Sequence, residues 1–108
     1  MVTPIQEIHE NDSGLSFIVT VMDADGVVDL SLAGVLEFHF QKPDGSMLIS
    51  PAFFVNDGVD GQVYHDTSPT DFDQPGIWRH QVYAEIGPDQ KYSNITKFRV
   101  YPNLPLAL

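Results

Sequence analysis

The sequence predicts an all-β domain, folded as an antiparallel β-sandwich. Two observations carry this prediction. Apolar and polar residues alternate along most of the apolar segments, as they do in strands with one face in a core and the other in water. Clusters of Asp, Asn, Gly and Pro interrupt these segments at intervals of roughly 8–12 residues, which suits short strands joined by turns. No segment has the 3.6-residue period of an amphipathic helix.

Six strands are predicted in the body of the chain, and one edge strand before them makes about seven. They cover residues 5–9 (the edge strand), 15–22, 35–41, 47–55, 62–66, 77–86 and 92–101. Their number and spacing are typical of an immunoglobulin-like sandwich, although the Cys–Trp–Cys framework of antibody domains is missing. A small β-barrel is the alternative.

The alternation also predicts which side chains face the core. Phe38 and Phe40 point inward from the strand at 35–41, and Phe98 and Val100 point inward from the last strand. Trp78 is expected at the hydrophobic centre of the long strand at 77–86, because a tryptophan there is more often core than ligand platform.

One stretch, FQKPDGSMLIS at residues 40–50, predicts a hairpin. Pro43 presets φ for the first central turn position, and Asp44-Gly45 completes the reversal. Pro51 follows in the next strand. Because proline cannot donate to a sheet ladder, it indicates an edge or a bulge.

The bulk properties bound the domain and its partners. The chain has 108 residues, no cysteine and a formal net charge of −10. One domain is expected over residues 1–103, followed by a short tail at 104–108 that serves as a linker or a docking segment. The dispersed negative charge repels phosphate groups, which argues against nucleic acid and membranes as partners. No apolar run approaches ~18 residues, and the N-terminus lacks the regions of a signal peptide.

The histidines do not predict a metal site or a catalytic site. His9, His39, His65 and His80 lie on four different predicted strands, and none has a metal-ligand spacing to another. His39 is expected at the surface. His80 is expected to be hydrogen-bonded at the margin of the core.

The acidic turns and the serines are equally uninformative about chemistry. DADG at 23–26 and DGVDG at 57–61 resemble fragments of calcium loops, but hairpin turns use the same residues. Asp71 and Asp73 share one loop, and no serine lies in a G-x-S-x-G context. We therefore expect no catalytic, metal or cofactor site. An enzyme would require four side chains to converge on one point, namely Asp57, Asp60, His65 and Asp71.

An interaction surface is the better-supported kind of site. Strand 15–22 is apolar on both faces, and the end of the chain adds more apolar residues than a chain of this length readily hides. A wholly buried strand explains the first feature equally well. The predicted subunit interface consists of Ile18, Met22, Tyr101, Leu104, Leu106 and Leu108.

Four motifs in order resemble one protein family. FHFQKPDG at 38–45 and FFVNDGVDGQVY at 53–64 come first, and DFDQPGIWRHQVYA at 71–84 and FRVYPN at 98–103 follow. Together they resemble the N-terminal immunoglobulin-like domain of the phage baseplate upper protein family, over residues 12–103. His80 departs from the aliphatic residue expected at its place, and His65 departs from an aromatic one.

This resemblance implies a non-enzymatic structural component of a tailed-phage virion, made in the bacterial cytoplasm and built into the baseplate, tail or tail-fibre attachment. Its partners would be other virion proteins, and multiple copies would occupy a symmetric assembly. A capsid or collar decoration protein is an alternative. A carbohydrate-binding module is another, and it would need its tyrosines grouped on one exposed face, namely Tyr64, Tyr83 and Tyr92.

Overall fold

The computed structural model describes residues 8–104, which form strands, turns and loops without a helix. The prediction of an all-β chain is therefore confirmed. These described residues contain eleven strands, more than the seven expected. They are β1 (Ile8–His9), β2 (Ser16–Thr20), β3 (Met22–Asp23), β4 (Gly26–Val27), β5 (Val35–Gln41), β6 (Met47–Pro51), β7 (Phe53–Phe54), β8 (Gln62–Asp66), β9 (Gly76–Ile86), β10 (Asp89–Tyr92) and β11 (Thr96–Tyr101).

The strands form two main sheets and a small hairpin. The large sheet has the order β1-β11-β9-β5-β6, with β10 also paired to β9. The small sheet has the order β2-β8-β7, and β3 pairs with β4. All neighbours are antiparallel except β1 and β11, which run parallel. None of these ladders closes on itself, so the described strands do not form the alternative barrel.

Two predicted strands match their elements from end to end, at 35–41 and 62–66, and 77–86 lies within β9. The predicted edge strand at 5–9 is seen as β1, and its first three residues lie outside the described part. Pro51 belongs to β6 at one edge of the large sheet, as expected.

Three other predicted strands are each divided, and β4 (Gly26–Val27) follows a predicted turn, which together explain the larger number of elements. Strand 15–22 divides at Val21: its N–H still donates to Gly61 O beside β8, but its C=O accepts the N–H of Val28 and the chain enters the hairpin of β3 and β4. Strand 47–55 crosses between sheets at Ala52: its N–H still bonds Leu36 O in the large sheet, while the next residue already pairs with β8. Such a strand shared by two sheets makes a corner between them.

The third division separates β10 from β11. The predicted strand 92–101 starts too late and runs through a break, because Tyr92 ends the hairpin strand β10. At Ser93 the side-chain hydroxyl accepts the N–H of Val82. A side chain thus replaces the ladder carbonyl, and the chain leaves the sheet until Thr96.

The small sheet packs against one face of the large sheet, and aromatic rings fill the space between them. Phe17 of β2 lies 5.6 Å from the ring of Phe40 and 5.1 Å from that of Phe98, measured between centroids. Phe72 comes from the loop at 67–75 and is fully buried, 5.1 Å from Trp78. The inward positions predicted for strands 35–41, 77–86 and 92–101 are confirmed.

Trp78 occupies the centre predicted for it. Its side chain is completely buried and its Nε1 donates to Gln74 O over 2.9 Å. The rings of Phe72 and Phe98 flank it. Because the one polar atom of the indole is paired, the ring contributes its full apolar area to the core.

His80 is only 7% exposed and also borders two surface hollows, which agrees with the predicted place near the core margin. Its Nδ1 is buried without a hydrogen-bond partner among the described residues, so the predicted hydrogen bond is missing at that nitrogen. Four aromatic rings surround it, those of Phe17, Phe38, Phe40 and Phe98. Burial lowers the pKa of His80 below its ordinary value, because the charged imidazolium would lose its hydration there.

Truncation of Trp78 tests the position of the core. Trp78→Ala is expected to lower the free energy of unfolding by about 3–5 kcal/mol, since it removes a fully buried ring. Ile77→Ala is the matched control on the same strand, because Ile77 is 51% exposed on the opposite face and should cost under about 1 kcal/mol. Urea denaturation of both variants measures this. Similar losses for the two would contradict the described packing.

Acid is expected to destabilise the fold through His80. The pKa is lower in the folded chain than the ordinary 6.5, so the unfolded chain takes up the proton first as the pH falls. The contribution of the neutral His80 side chain to the free energy of unfolding is therefore complete above pH 6.5. It is lost as the pH falls through the lowered pKa. Urea unfolding between about pH 7.5 and about pH 5 should show a steeper loss for the wild type than for His80→Leu. Parallel curves would contradict a buried, neutral His80.

Candidate functional site

The outer face of the small sheet presents a row of large apolar side chains. Tyr64 of β8 lies opposite Ile18 of β2 on one side and opposite Phe53 of β7 on the other. Ile18 is 60% exposed and Phe53 is 52% exposed. The rings of Phe53 and Tyr64 are 5.8 Å apart, so the three side chains form a continuous strip, which we call the apolar row.

The small sheet carries very little charge. Among the residues of β2, β7 and β8, only His65 and Asp66 belong to the acidic and basic residue types. His65 faces the core, and Asp66 accepts a hydrogen bond from the Ser16 hydroxyl. In a chain with a net charge of −10, this leaves an apolar and almost uncharged surface. Apolar surface of this kind, bordered by polar residues, is typical of contact sites for other proteins.

The hairpin next to the small sheet adds to this surface. Met22 of β3 lies opposite Val27 of β4, and both side chains are more than half exposed. The exposure of Ile18 and Met22 excludes the wholly buried strand that the sequence left open. It agrees with an interface there but does not identify a partner.

The structure does not gather the predicted interface residues on one surface. Ile18 and Met22 belong to the small sheet and its hairpin. Tyr101 is half-buried at the end of β11 in the large sheet, and Leu104 is exposed beyond it. Leu106 and Leu108 lie outside the described residues.

Sequence reasoning missed two members of the apolar row, Phe53 and Tyr64. Both lie in predicted strands, and the alternation against the buried Val63 shows which way Tyr64 points. What the sequence could not supply is the register, because only the pairing of three strands places Ile18, Tyr64 and Phe53 side by side.

The outer face of the large sheet has a different character. It holds Arg79 and Lys97, which lie directly opposite each other on β9 and β11, with Arg99 further along β11. Within residues 8–104 none of these three cations has a carboxylate within salt-bridge distance. Arg99 lies over the ring of Tyr101, 5.3 Å from its centroid. This face therefore has local positive charge on an acidic chain.

The tyrosines named for a sugar site are not grouped together. Tyr83 and Tyr92 pair across β9 and β10 on the outer face of the large sheet, with ring centroids 5.0 Å apart. Tyr83 is nearly buried, and its hydroxyl donates to the Glu85 carboxylate, which raises its pKa to about 12. Tyr64 lies on the small sheet, on the other side of the domain.

A buried polar group joins the loop at 67–75 to β8. His65 Nε2 is 3.0 Å from Asp71 Oδ2, and Ser68 donates both its N–H and its hydroxyl to the same carboxylate. Burial raises the pKa of Asp71, but the hydrogen bonds from Ser68 and His65 outweigh it and hold the pKa below its ordinary value. No sequence pattern indicated this pairing between residues six apart.

This group does not have the order of a hydrolytic triad. In a triad the histidine stands between serine and carboxylate and takes the serine proton. Here the carboxylate of Asp71 lies between the other two groups. The Ser68 hydroxyl therefore donates to a carboxylate that is held ionised, and not to an imidazole. The arrangement anchors a loop.

The four-residue cluster that an enzyme would require is only half formed. His65 and Asp71 meet, but Asp57 and Asp60 cap a separate turn by accepting the N–H groups of Val59 and Gln62. Over residues 8–104, no group of three or more His, Cys, Asp or Glu side chains could hold a metal ion.

His39 is half-buried and contacts Glu37 at 3.0 Å, so it is less exposed than predicted.

No family model matches the chain, and no curated protein matches it either. In the described part of the chain, no helix is long and apolar enough to cross a membrane.

Proposed function

We propose that the chain is an immunoglobulin-like sandwich domain that serves as a structural component of a tailed-phage virion. It acts through contacts with other virion proteins, in the baseplate, tail or tail-fibre attachment. The apolar row is the single observation that carries this proposal. The resemblance of the four sequence motifs supplies the setting.

The apolar row has the properties of a protein-docking surface. Two of its side chains, Ile18 and Phe53, are more than half exposed, and Tyr64 between them brings an aromatic ring with a polar end. Aromatic side chains are enriched at protein interfaces, and Tyr is among the residue types that supply much of the binding free energy there. A sheet is also a stiff platform, so little conformational entropy is lost when a partner binds to it.

The rest of the domain suits a permanent building block. Two sheets share one aromatic core, and the loop at 67–75 is fixed to it through Phe72 and the His65–Asp71 pair. A scaffold of this kind holds its outer faces in a constant relative orientation. In a symmetric assembly, repetition of one modest contact raises the overall binding strength.

Purified particles provide the test. Cells that carry a phage genome encoding this chain should release tailed particles that contain it, as seen by mass spectrometry of density-purified particles. Immunogold labelling should place it at the tail end, whereas label on the head or the neck would favour the capsid or collar alternative. Absence from the particles, with the chain abundant in the same cells, would contradict the proposal.

Matched variants connect particle incorporation to the apolar row. Ile18→Asp combined with Phe53→Asp is expected to reduce incorporation at least about tenfold, because it places charge in the contact surface. Ile49→Asp combined with Ile77→Asp is the control, since both residues are also about half exposed but lie on the outer face of the large sheet. Thermal unfolding of both double variants checks that each still folds. Equal incorporation of the two double variants would show that the row is not the docking surface.

A further inference from the structure

Strand β2 is an edge strand with free backbone groups. Within residues 8–104, it pairs with β8 on one side and with no strand on the other. Thr67 N–H bonds Leu15 O at one end of the ladder, and Val21 N–H bonds Gly61 O at the other. In an antiparallel pair the bonded residues alternate, so the backbone groups of Phe17 and Val19 also point to β8. The residues that alternate with these bonded positions are Ser16, Ile18 and Thr20. Their N–H and C=O groups point away from β8.

The other edges of the described sheets are protected against pairing. β6 has five residues, and its Pro51 removes an outward N–H. β10 carries Asp89 and Lys91. β1 and β7 are only two residues long. Short length, proline and charge are the usual means by which proteins prevent edge-to-edge contact. β2 has five residues, SFIVT, and has none of these protections.

We propose that β2 pairs with β2 of a second copy of this chain. The two strands run antiparallel about a two-fold axis at Ile18, so that the small sheets of both copies join into one continuous sheet. In this register Ile18 faces Ile18 of the other copy, and Ser16 faces Thr20. Each of these residues then exchanges hydrogen bonds through the backbone groups that are now free.

The side chains of β2 are complementary to themselves in that register. On the outer face, Ile18 meets its own copy and the two apolar rows join end to end. On the inner face, Phe17 meets Val19, a pairing of an aromatic with a β-branched residue that favours sheets. The contact is isologous, as expected for a two-fold dimer.

Charge also selects this edge for contact between copies. Two chains of net charge −10 repel each other, and opposed like charges destabilise neighbouring strands. Strand β2 contains no ionisable side chain, so no like charges are brought into register by the pairing. Among the described edges of five residues, it is the one on which two copies of an acidic chain can meet without a proline in the way.

A hollow borders the outer side of β2. It has a volume of about 330 Å³, with Ile18 and Thr20 on one wall and Ser93, Asn94 and Thr96 on the other. The segment 93–95 is not part of any strand, so within residues 8–104 no ladder occupies this edge.

The test combines mass and amide exchange. Light scattering from about 10 μM to about 1 mM should show the mass rising from 12.0 kDa towards twice that value. At the high concentration, the amide protons of Ile18 and Thr20 should exchange at least about tenfold more slowly than in the dilute monomer. Those of Phe17 and Val19 bond to β8 in either state and should change little.

A proline variant at the free edge separates pairing from folding. Ile18→Pro removes an N–H that β8 does not use, so the β2–β8 ladder remains while the contact between copies is blocked. Ile49→Pro is the matched control. Ile49 is similarly exposed on an edge strand, and its N–H also points away from its neighbour, since Ala52 N–H and Lys42 N–H mark the bonded pairs of β5 and β6. We expect Ile18→Pro to remain monomeric and Ile49→Pro to dimerise like the wild type.

Three results would overturn the pairing. They are a wild-type mass that stays at 12.0 kDa up to about 1 mM, free exchange of the Ile18 amide in a dimer, and a dimer that survives Ile18→Pro. The inference rests on the proposed function for its biological setting only. A monomer in solution would contradict the β2 contact without testing the virion role, which particle labelling tests separately. Absence from particles would contradict the virion role without contradicting the β2 contact.

Discussion

The fold depends on the insertion of one ring, that of Phe17, between the two sheets. Phe17 lies on an exposed edge strand, yet its ring contacts Phe40, Phe72, His80 and Phe98 at centroid distances of 5.1–5.6 Å. These partners come from three strands and one loop. Without this contact the small sheet would lose much of its attachment to the large one, since the apolar area buried there drives their association.

The inner faces of both sheets are committed to the core, so any contact with other molecules falls on the outer faces and the edges. The two outer faces differ in chemistry. The small sheet presents Ile18, Tyr64 and Phe53 with almost no charge. The large sheet presents Arg79 and Lys97, which have no carboxylate partner among residues 8–104. A rigid domain with one apolar face and one basic area suits a subunit that connects several neighbours, which is the kind of role we propose for it.

Alternation was sufficient to predict the strands whose two ends lie in regular turns, such as 35–41 and 62–66. It failed where the chain leaves one ladder for another or for a loop, at Val21, Ala52 and Ser93, because the contacts that redirect the chain there come from other segments. Phe72 was likewise missed, since a loop with proline and aspartate gives no period from which to place a core residue. The exposed Ile18 and Met22 were predicted, but the apolar row depends on register, which a single strand pattern does not contain.

Contacts between aromatic protons test the central claim of this account, the packing of the small sheet on the large one through Phe17. In a nuclear Overhauser spectrum of the labelled protein, the Phe17 ring should show cross-peaks to the rings of Phe40, His80 and Phe98. Centroid distances below 6 Å bring their protons within range of the effect. A Phe17 ring with cross-peaks only to its own sheet, such as to His65, would contradict the account, because the two sheets would then not share a core.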